Sequence, residues 1–201
     1  MEKTFWKALE SRRSVYGFDK EMPVAQEKIV EIAEKALTLV PSSFNCQSTR
    51  MVVLFGEHHK KLWDIVIDAL RKVTDDQQFE KSKERVMESF QSGYGTILFF
   101  EDQAVIKGLQ DQFTLYAHNF PVWSEHTAGM HQLTVWVALA QEGLGASLQH
   151  YHPLIDDAVR KEWNIPESWK LTAQMPFGKP LSAPEEKDHM AIPDRLKVFS
   201  R

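Results

Sequence analysis

Apolar residues along this chain recur with two different periods. Ile29, Ile32, Ala33, Ala36, Leu37 and Val40 return every three or four positions after Pro23, which predicts a helix over about residues 24–40 with one buried face. Leu62, Val66, Leu70 and Val73 mark a second helix. Phe79, Lys83, Val86 and Phe90 mark a third, whose lysine stem can cover apolar surface. Residues 51–55 and 96–100 are instead unbroken apolar runs bounded by glycine or charge, the pattern of strands buried on both faces. Residues 171–175 predict a third strand and 146–148 a short fourth. Between residues 125 and 142 the spacing of Met130, Leu133, Val137 and Ala140 is helical again, yet Val135, Trp136 and Leu139 fill the other faces. A helix apolar nearly all round is either central in its own fold or covered on its second side by another subunit, and the second arrangement is favoured here.

Composition narrows the picture. With 201 residues and 43% hydrophobic content the chain can bury a real core, so residues 1–201 are expected to form one domain. Residues 181–201, rich in proline and charge until Leu196, Val198 and Phe199, form a tail too short to fold alone but able to dock on a neighbour. The 28 acidic residues against 24 basic ones, with no basic stripe along a helix, leave nucleic acid little to hold. Cys46 is the only cysteine, which excludes a disulfide framework or multi-cysteine metal site and fits a reducing compartment. Residues 1–6 lack the apolar core of a secretory signal, and no apolar run reaches the roughly 20 residues of a membrane span. A cytoplasmic protein with no membrane partner is expected.

Candidate chemistry sits in four polar clusters where apolar segments give way to loops. They are Arg12-Arg13-Ser14, the run from Pro41 through Ser42, Ser43, Phe44, Asn45 and Cys46 to Gln47, Gln149-His150 after Gly143-Leu144-Gly145, and Phe177-Gly178-Lys179-Pro180. Guanidinium forks match phosphate oxygens, although an arginine pair alone also fits a solvated basic turn. Lys179, held between glycine and proline, carries the same two meanings. Ser42, Ser43, Asn45 and Gln47 supply more donors and acceptors than a helix stop requires, and amides can bond both edges of a planar heterocycle. Together the clusters suggest a bound anion carrying a flat polar ring.

Other chemistries lack support. Cys46 has no partner thiol and no adjacent base, so it is read as packing. The eight histidines reproduce neither a metalloprotease helix nor a finger, and most are taken as surface or supporting residues, with His150 balanced between ligand contact and structure. No metal is expected. Leu148 stands where a dinucleotide fingerprint needs its third glycine, and Ser147 lacks the second glycine of a nucleophile elbow.

In order and spacing these clusters resemble the flavin-dependent nitroreductase family. The chain is similar to its short branch, which includes yeast fatty-acid-repression proteins and copper-induced nitroreductases of lactic acid bacteria. The resemblance implies an α+β three-layer sandwich, with a central, mostly antiparallel sheet flanked by helices and a long central helix at a homodimer interface. It also implies FMN at that interface, touched by both chains. Arg12, Arg13 and Ser14 match the family's phosphate and ribityl segment, and Pro41, Ser42, Ser43, Asn45 and Gln47 its ring and cross-subunit segment. Gln149 and His150 match the stretch after the long helix, Lys179 the late basic contact, and the tail would wrap the partner subunit. The implied activity passes electrons from NADH or NADPH to nitroaromatic, quinone or similar small aromatic acceptors by a ping-pong mechanism, with no side chain acting as acid or base. A flavin-binding sensor in lipid or stress regulation, with incidental turnover, is the alternative, and a flavin-free interaction protein a third. Two departures stand out. Tyr16 occupies a place where many members carry a cation, and Lys179 lies inside the Gly-x-Pro turn, with Lys187 the basic residue beyond it.

Overall fold

The computed structural model describes residues 5–19, 21, 23–184 and 187–200. Helices α1 (Phe5–Ser11), α2 (Gln26–Leu39), α3 (Gly56–Arg71), α4 (Asp76–Val86), α5 (Gln103–Gln112), α6 (Phe120–Gln141) and α7 (Asp156–Trp163) surround five strands. The strands are β1 (Phe18–Asp19), β2 (Thr49–Phe55), β3 (Gly95–Asp102), β4 (Gly145–Ala146) and β5 (Trp169–Pro180). Their order is β1-β5-β3-β2, with β4 also on β5, and every pairing is antiparallel.

The sheet divides the core in two. On one face Leu98 and Phe100 of β3 pack against Leu62, Trp63 and Val66 of α3. On the other, Ile97 and Phe99 join Met175 of β5, Ile29 and Ile32 of α2, and Val135 and Leu139 of α6. Alternate side chains of one strand thus feed two helical layers, and the result is the expected three-layer α+β sandwich. All eight residues of β3 are buried, as its apolar run predicts. β2 departs from that expectation: Met51, Val52 and Val53 are only half-buried. It is an edge strand: among the described residues β3 alone lies beside it.

The predicted helices are present with shifted ends. α2 stops at Leu39 because Val40, before Pro41, is extended, as a residue preceding proline prefers. The third predicted helix is regular only to Val86 and continues as a π-turn over Met87–Gln91, which carries Phe90 onto Trp63 with ring centres 5.1 Å apart. α6 starts five residues earlier than the apolar spacing suggests, with Pro121 in its first turn, where a missing N–H costs nothing. Its inward side is Phe120, Ala128, Val135 and Leu139, whereas Met130 and Leu133 are 41% and 46% exposed. Of the helically spaced set, Met130 and Leu133 thus face outward while Val137 and Ala140 are half-buried. α6 ends in a glycine cap: Gly143, at φ 80°, donates to the Ala140 carbonyl (3.1 Å) and Leu144 to that of Leu139 (3.0 Å). Among the described residues no helix is long and apolar enough to cross a membrane.

Candidate functional site

The arginine turn is held by two glycines remote from it in sequence. After α1, Val15 donates its N–H to the Ala146 carbonyl (3.0 Å) and Ser14 bridges Ala146. A Cβ on Gly145 would lie 2.7 Å from Val15 Cβ, and one on Gly178 2.9 Å from Phe18 Cβ. Gly145 and Gly178 are register partners across β4 and β5, so their missing side chains let the backbone after α1 lie directly on the sheet. The arginine turn thus meets the glycine turn that precedes Gln149-His150 and the glycine of Phe177-Gly178-Lys179-Pro180, though not the polar side chains of those two clusters. The Arg12 guanidinium rests on Trp136 of α6, 4.4 Å from the ring centre, while Trp136 donates its Nε1–H to the Ala146 carbonyl (3.2 Å). Burial, and then neighbouring Arg13, hold the Arg12 pKa below its ordinary value, though an arginine stays cationic. Arg12 and Arg13 share a pocket of about 340 Å³ with Lys187 and His189 of the tail. A second pocket, about 480 Å³, runs from Arg13, Ser14 and Tyr16 to tail residues 182–184. Arg13 lines both pockets, so the cations of the first, which also holds the Glu10 carboxylate, adjoin the Ser14 hydroxyl and close backbone of the second, and such a pair suits a phosphate ester.

The fourth cluster lies elsewhere. Ser42 accepts the Gln47 N–H at Oγ (2.9 Å) and the Asn45 N–H at its carbonyl (3.0 Å), closing residues 42–47 into a tight loop. Phe44, Asn45 and Gln47 all have left-handed φ, at 56°, 50° and 51°, which asparagine tolerates and the other two resist. Phe44 is pinned among Phe113, Phe120 and Trp123, the nearest ring centre 4.8 Å away. At the other end Arg50 donates to the Gln47 carbonyl (2.6 Å) and to Asp102 (3.1 Å). Pro41, Asn45 and Gln47 are exposed. Ser42 and Gln47 open on a pocket of about 370 Å³ with Leu37, Arg50, His131 and Trp169. Burial lowers the His131 pKa, opposed by its bond to the Thr127 carbonyl and by Glu101. His131 and the Trp136 that carries Arg12 are five residues apart on α6, hence about 140° apart around it. The pockets beside Gln47 and beside Ser14 have no lining residue in common.

The profile of the Nitroreductase family matches residues 9–179, from just before the arginine turn to Lys179. The chain belongs to the nitroreductase family. As a member it is an oxidoreductase. Nitroreductase FRM2 of Saccharomyces cerevisiae is 33% identical over 182 residues, 90% of each chain. Nitroreductase CinD from Lactococcus lactis, solved in complex with nicotinic acid, is 46% identical and superposes with a TM-score of 0.91 over 98% of this chain and 100% of its own. Structures of CinD with chloramphenicol and with 4-nitrophenol superpose equally over these shares, each with a TM-score of 0.89. A nitroreductase with bound FMN from Desulfitobacterium hafniense shares the fold at 19% identity, with a TM-score of 0.72 over 100% of both chains.

Within this nitroreductase fold the remaining candidates have distinct surroundings. Gln149 exchanges backbone bonds with Gln174 (2.8 and 2.9 Å) and donates from Nε2 to Ser147 Oγ (3.1 Å), tying the segment after β4 to β5. His150 stands at the surface, its pKa lowered by partial burial and by His152. Lys179 lines neither pocket at the arginine turn: its ammonium bonds Asp19 (3.0 Å) and Glu21 (3.2 Å), which raise its pKa and clamp β1 to β5. Lys187 faces the arginines instead. Tyr16, where many family members carry a cation, is half exposed, its ring 6.4 Å from that of Phe90.

Several residues that build the site carry no signal in the sequence pattern: Thr49 and Arg50 precede the apolar run of residues 51–55, Trp136 and Trp169 read as ordinary apolar residues, and Glu101 as the charge that ends an apolar run. Of the histidines, His59 and His131 are the buried, hydrogen-bonded ones, each only 3% exposed. One signal was present in advance: a carboxylate directly after the most apolar strand must be explained by partners that only the fold supplies.

Proposed function

We propose that the protein is an FMN-dependent oxidoreductase, cytoplasmic and homodimeric, that takes electrons from NADH or NADPH and passes them to nitroaromatic, quinone or similar small aromatic acceptors. The observation that carries this reading is the cationic concavity at Arg12, Arg13 and Lys187, built on close backbone approach and separated around α6 from the amide loop of the same chain. Arg12, Arg13, Ser14 and Lys187 hold the phosphate and ribityl chain, and Lys179 secures the strand pair beneath them. Pro41, Ser42, Ser43, Asn45 and Gln47 meet the ring of the flavin bound by the partner chain, and Gln149 and His150 face it from the first. Bound FMN supplies the hydride acceptance and delivery that no side chain of this protein offers. The chain orients the ring, excludes water and gives donor and acceptor one shared pocket, with Arg13 serving the edge where Tyr16 replaces a cation.

A second copy also answers two open surfaces. Met130 and Leu133 of α6, with Val30 and Leu37 of α2, leave apolar area uncovered, and Leu196, Val198 and Phe199 of the tail are exposed. In this reading the tail of one chain lies on its partner. The test is the visible absorption spectrum of the purified protein, identification of the released flavin, and anaerobic bleaching by NADH and NADPH. A yellow protein that yields FMN, is bleached, and gives parallel reciprocal plots with a nitroaromatic acceptor is expected. Colourless protein that fails to take up added FMN overturns the assignment, and tight FMN resistant to both nicotinamides makes the protein a regulatory flavoprotein.

A further inference from the structure

Glu101 is fully buried at the end of β3, and the bonds to its carboxylate come from hydroxyls. Ser48 and Ser124 donate to one oxygen (2.5 and 2.8 Å) and Thr49 to the other (2.5 Å). Among the described residues no cation stands at hydrogen-bond distance from this carboxylate; burying one so is costly, and an apolar residue would serve the strand, as Ile97 through Phe100 do. Two of the three donors are the residues directly after the amide loop. The third, Ser124, belongs to α6.

The network reaches the pocket beside that loop. The Thr127 carbonyl can only accept, so the Nδ1 of His131, 3.0 Å away, carries the proton. That N–H is shared with Thr49 Oγ1 at 3.2 Å, which leaves the threonine's own proton for Glu101. The tautomer and setting of the His131 ring, which lines the pocket with Ser42 and Gln47, therefore depend on the same carboxylate. Asp102, on the opposite face of β3, takes Arg50 (3.1 Å), which in turn holds the Gln47 carbonyl. Two successive carboxylates thus grip residues 48–50, immediately past three left-handed residues whose conformation persists only if its ends are fixed.

We propose that Glu101 is the positioning residue of the flavin-ring loop, setting where Asn45 and Gln47 stand by anchoring Ser48 and Thr49 and, through Thr49, His131. This rests on the flavin reading above. The test compares wild type, Glu101→Leu, which removes the acceptor, and Glu101→Gln, which keeps the shape and one acceptor oxygen. FMN titration of the apo-proteins should show at least a tenfold weaker Kd for Glu101→Leu and recovery to within about threefold for Glu101→Gln. Amide hydrogen exchange should quicken over residues 44–50 in Glu101→Leu, with α3 protected as in wild type. If Glu101→Leu does not fold, Thr49→Val, isosteric and lacking the shared hydroxyl, should reproduce the loop exchange and weaken FMN severalfold. Unchanged loop exchange, or wild-type FMN affinity in a folded Glu101→Leu or Thr49→Val protein, overturns the inference. Wild type that takes up no FMN refutes the flavin reading instead, and loop exchange then decides the anchoring role on its own.

Discussion

At the scale of single residues, buried hydrogen bonds settle protonation. Trp63 donates its Nε1–H to Thr96 Oγ1 (3.1 Å), the Thr96 hydroxyl donates to His59 Nδ1 (2.8 Å), and His59 Nε2–H donates to the Gln91 carbonyl (3.1 Å). Every proton in that series has one place, and the imidazole is neutral. Burial pushes the His59 pKa down to about 4 from an ordinary 6.5. As pH falls through 6.5 the unfolded chain takes up the proton first, so stability present above that pH is lost on the way to about 4 and the loss levels off below. The linked change is about 3 kcal/mol. Urea denaturation at pH 7, 5.5 and 4 should show it, and His59→Phe, less stable at pH 7, should have a visibly shallower pH dependence; equal slopes would assign the acid sensitivity elsewhere. Arg12→Ala tests the other residue-scale claim. Losing a charge-assisted phosphate contact costs about 1.5–3 kcal/mol, so FMN retention should fall at least tenfold with circular dichroism unchanged.

At the scale of elements, the arginine turn depends on how closely it lies against β4. Gly145→Ala places a methyl 2.7 Å from Val15 and must push the turn outward. We expect a destabilisation of about 1–3 kcal/mol together with weaker FMN binding, read by thermal unfolding and flavin titration. Gly108→Ala, exposed in the middle of α5 with nothing within 4 Å, is the matching control. It should leave flavin affinity alone and stabilise by up to about 1 kcal/mol, because alanine is the better helix residue. A Gly145→Ala protein as stable as Gly108→Ala would show that the close approach does not matter. At this scale much was readable beforehand. The spacing of Ile29, Ile32 and Ala36 and the apolar run of residues 96–100 report burial directly. Residues 103–112 and 156–163, which form α5 and α7, are harder to read because each is short and buries a single residue of its own, Ile106 or Val159.

At the scale of the whole molecule, the proposed site needs two chains. Leu133 is 46% exposed in the single chain, so Leu133→Glu leaves the monomer fold without a new buried charge but places one in the proposed interface. Monomers should appear, and FMN should leave in step with them. Sedimentation velocity followed at the flavin absorbance measures both at once. A Leu133→Glu monomer that keeps stoichiometric FMN would refute the interface site, and an unaltered dimer would move the interface off this face of α6.

The sequence by itself determined the alternation of helices and strands, the double burial of β3 and the four polar clusters, because periodicity and local chain chemistry are carried by neighbouring residues. It also held the family likeness, since the order of those clusters is a property of the chain. Only the tertiary structure decided which clusters meet. The absent side chains of Gly145 and Gly178 bring the arginine turn onto the sheet, contacts no local pattern encodes. The same holds for charge: Lys179 finds Asp19 and Glu21, Lys187 finds the arginines, and Glu101 finds three hydroxyls from β2, the residue before it, and α6. A charged residue in a sequence states only that a partner or water is required. Which one it receives follows from the packing of elements far apart along the chain.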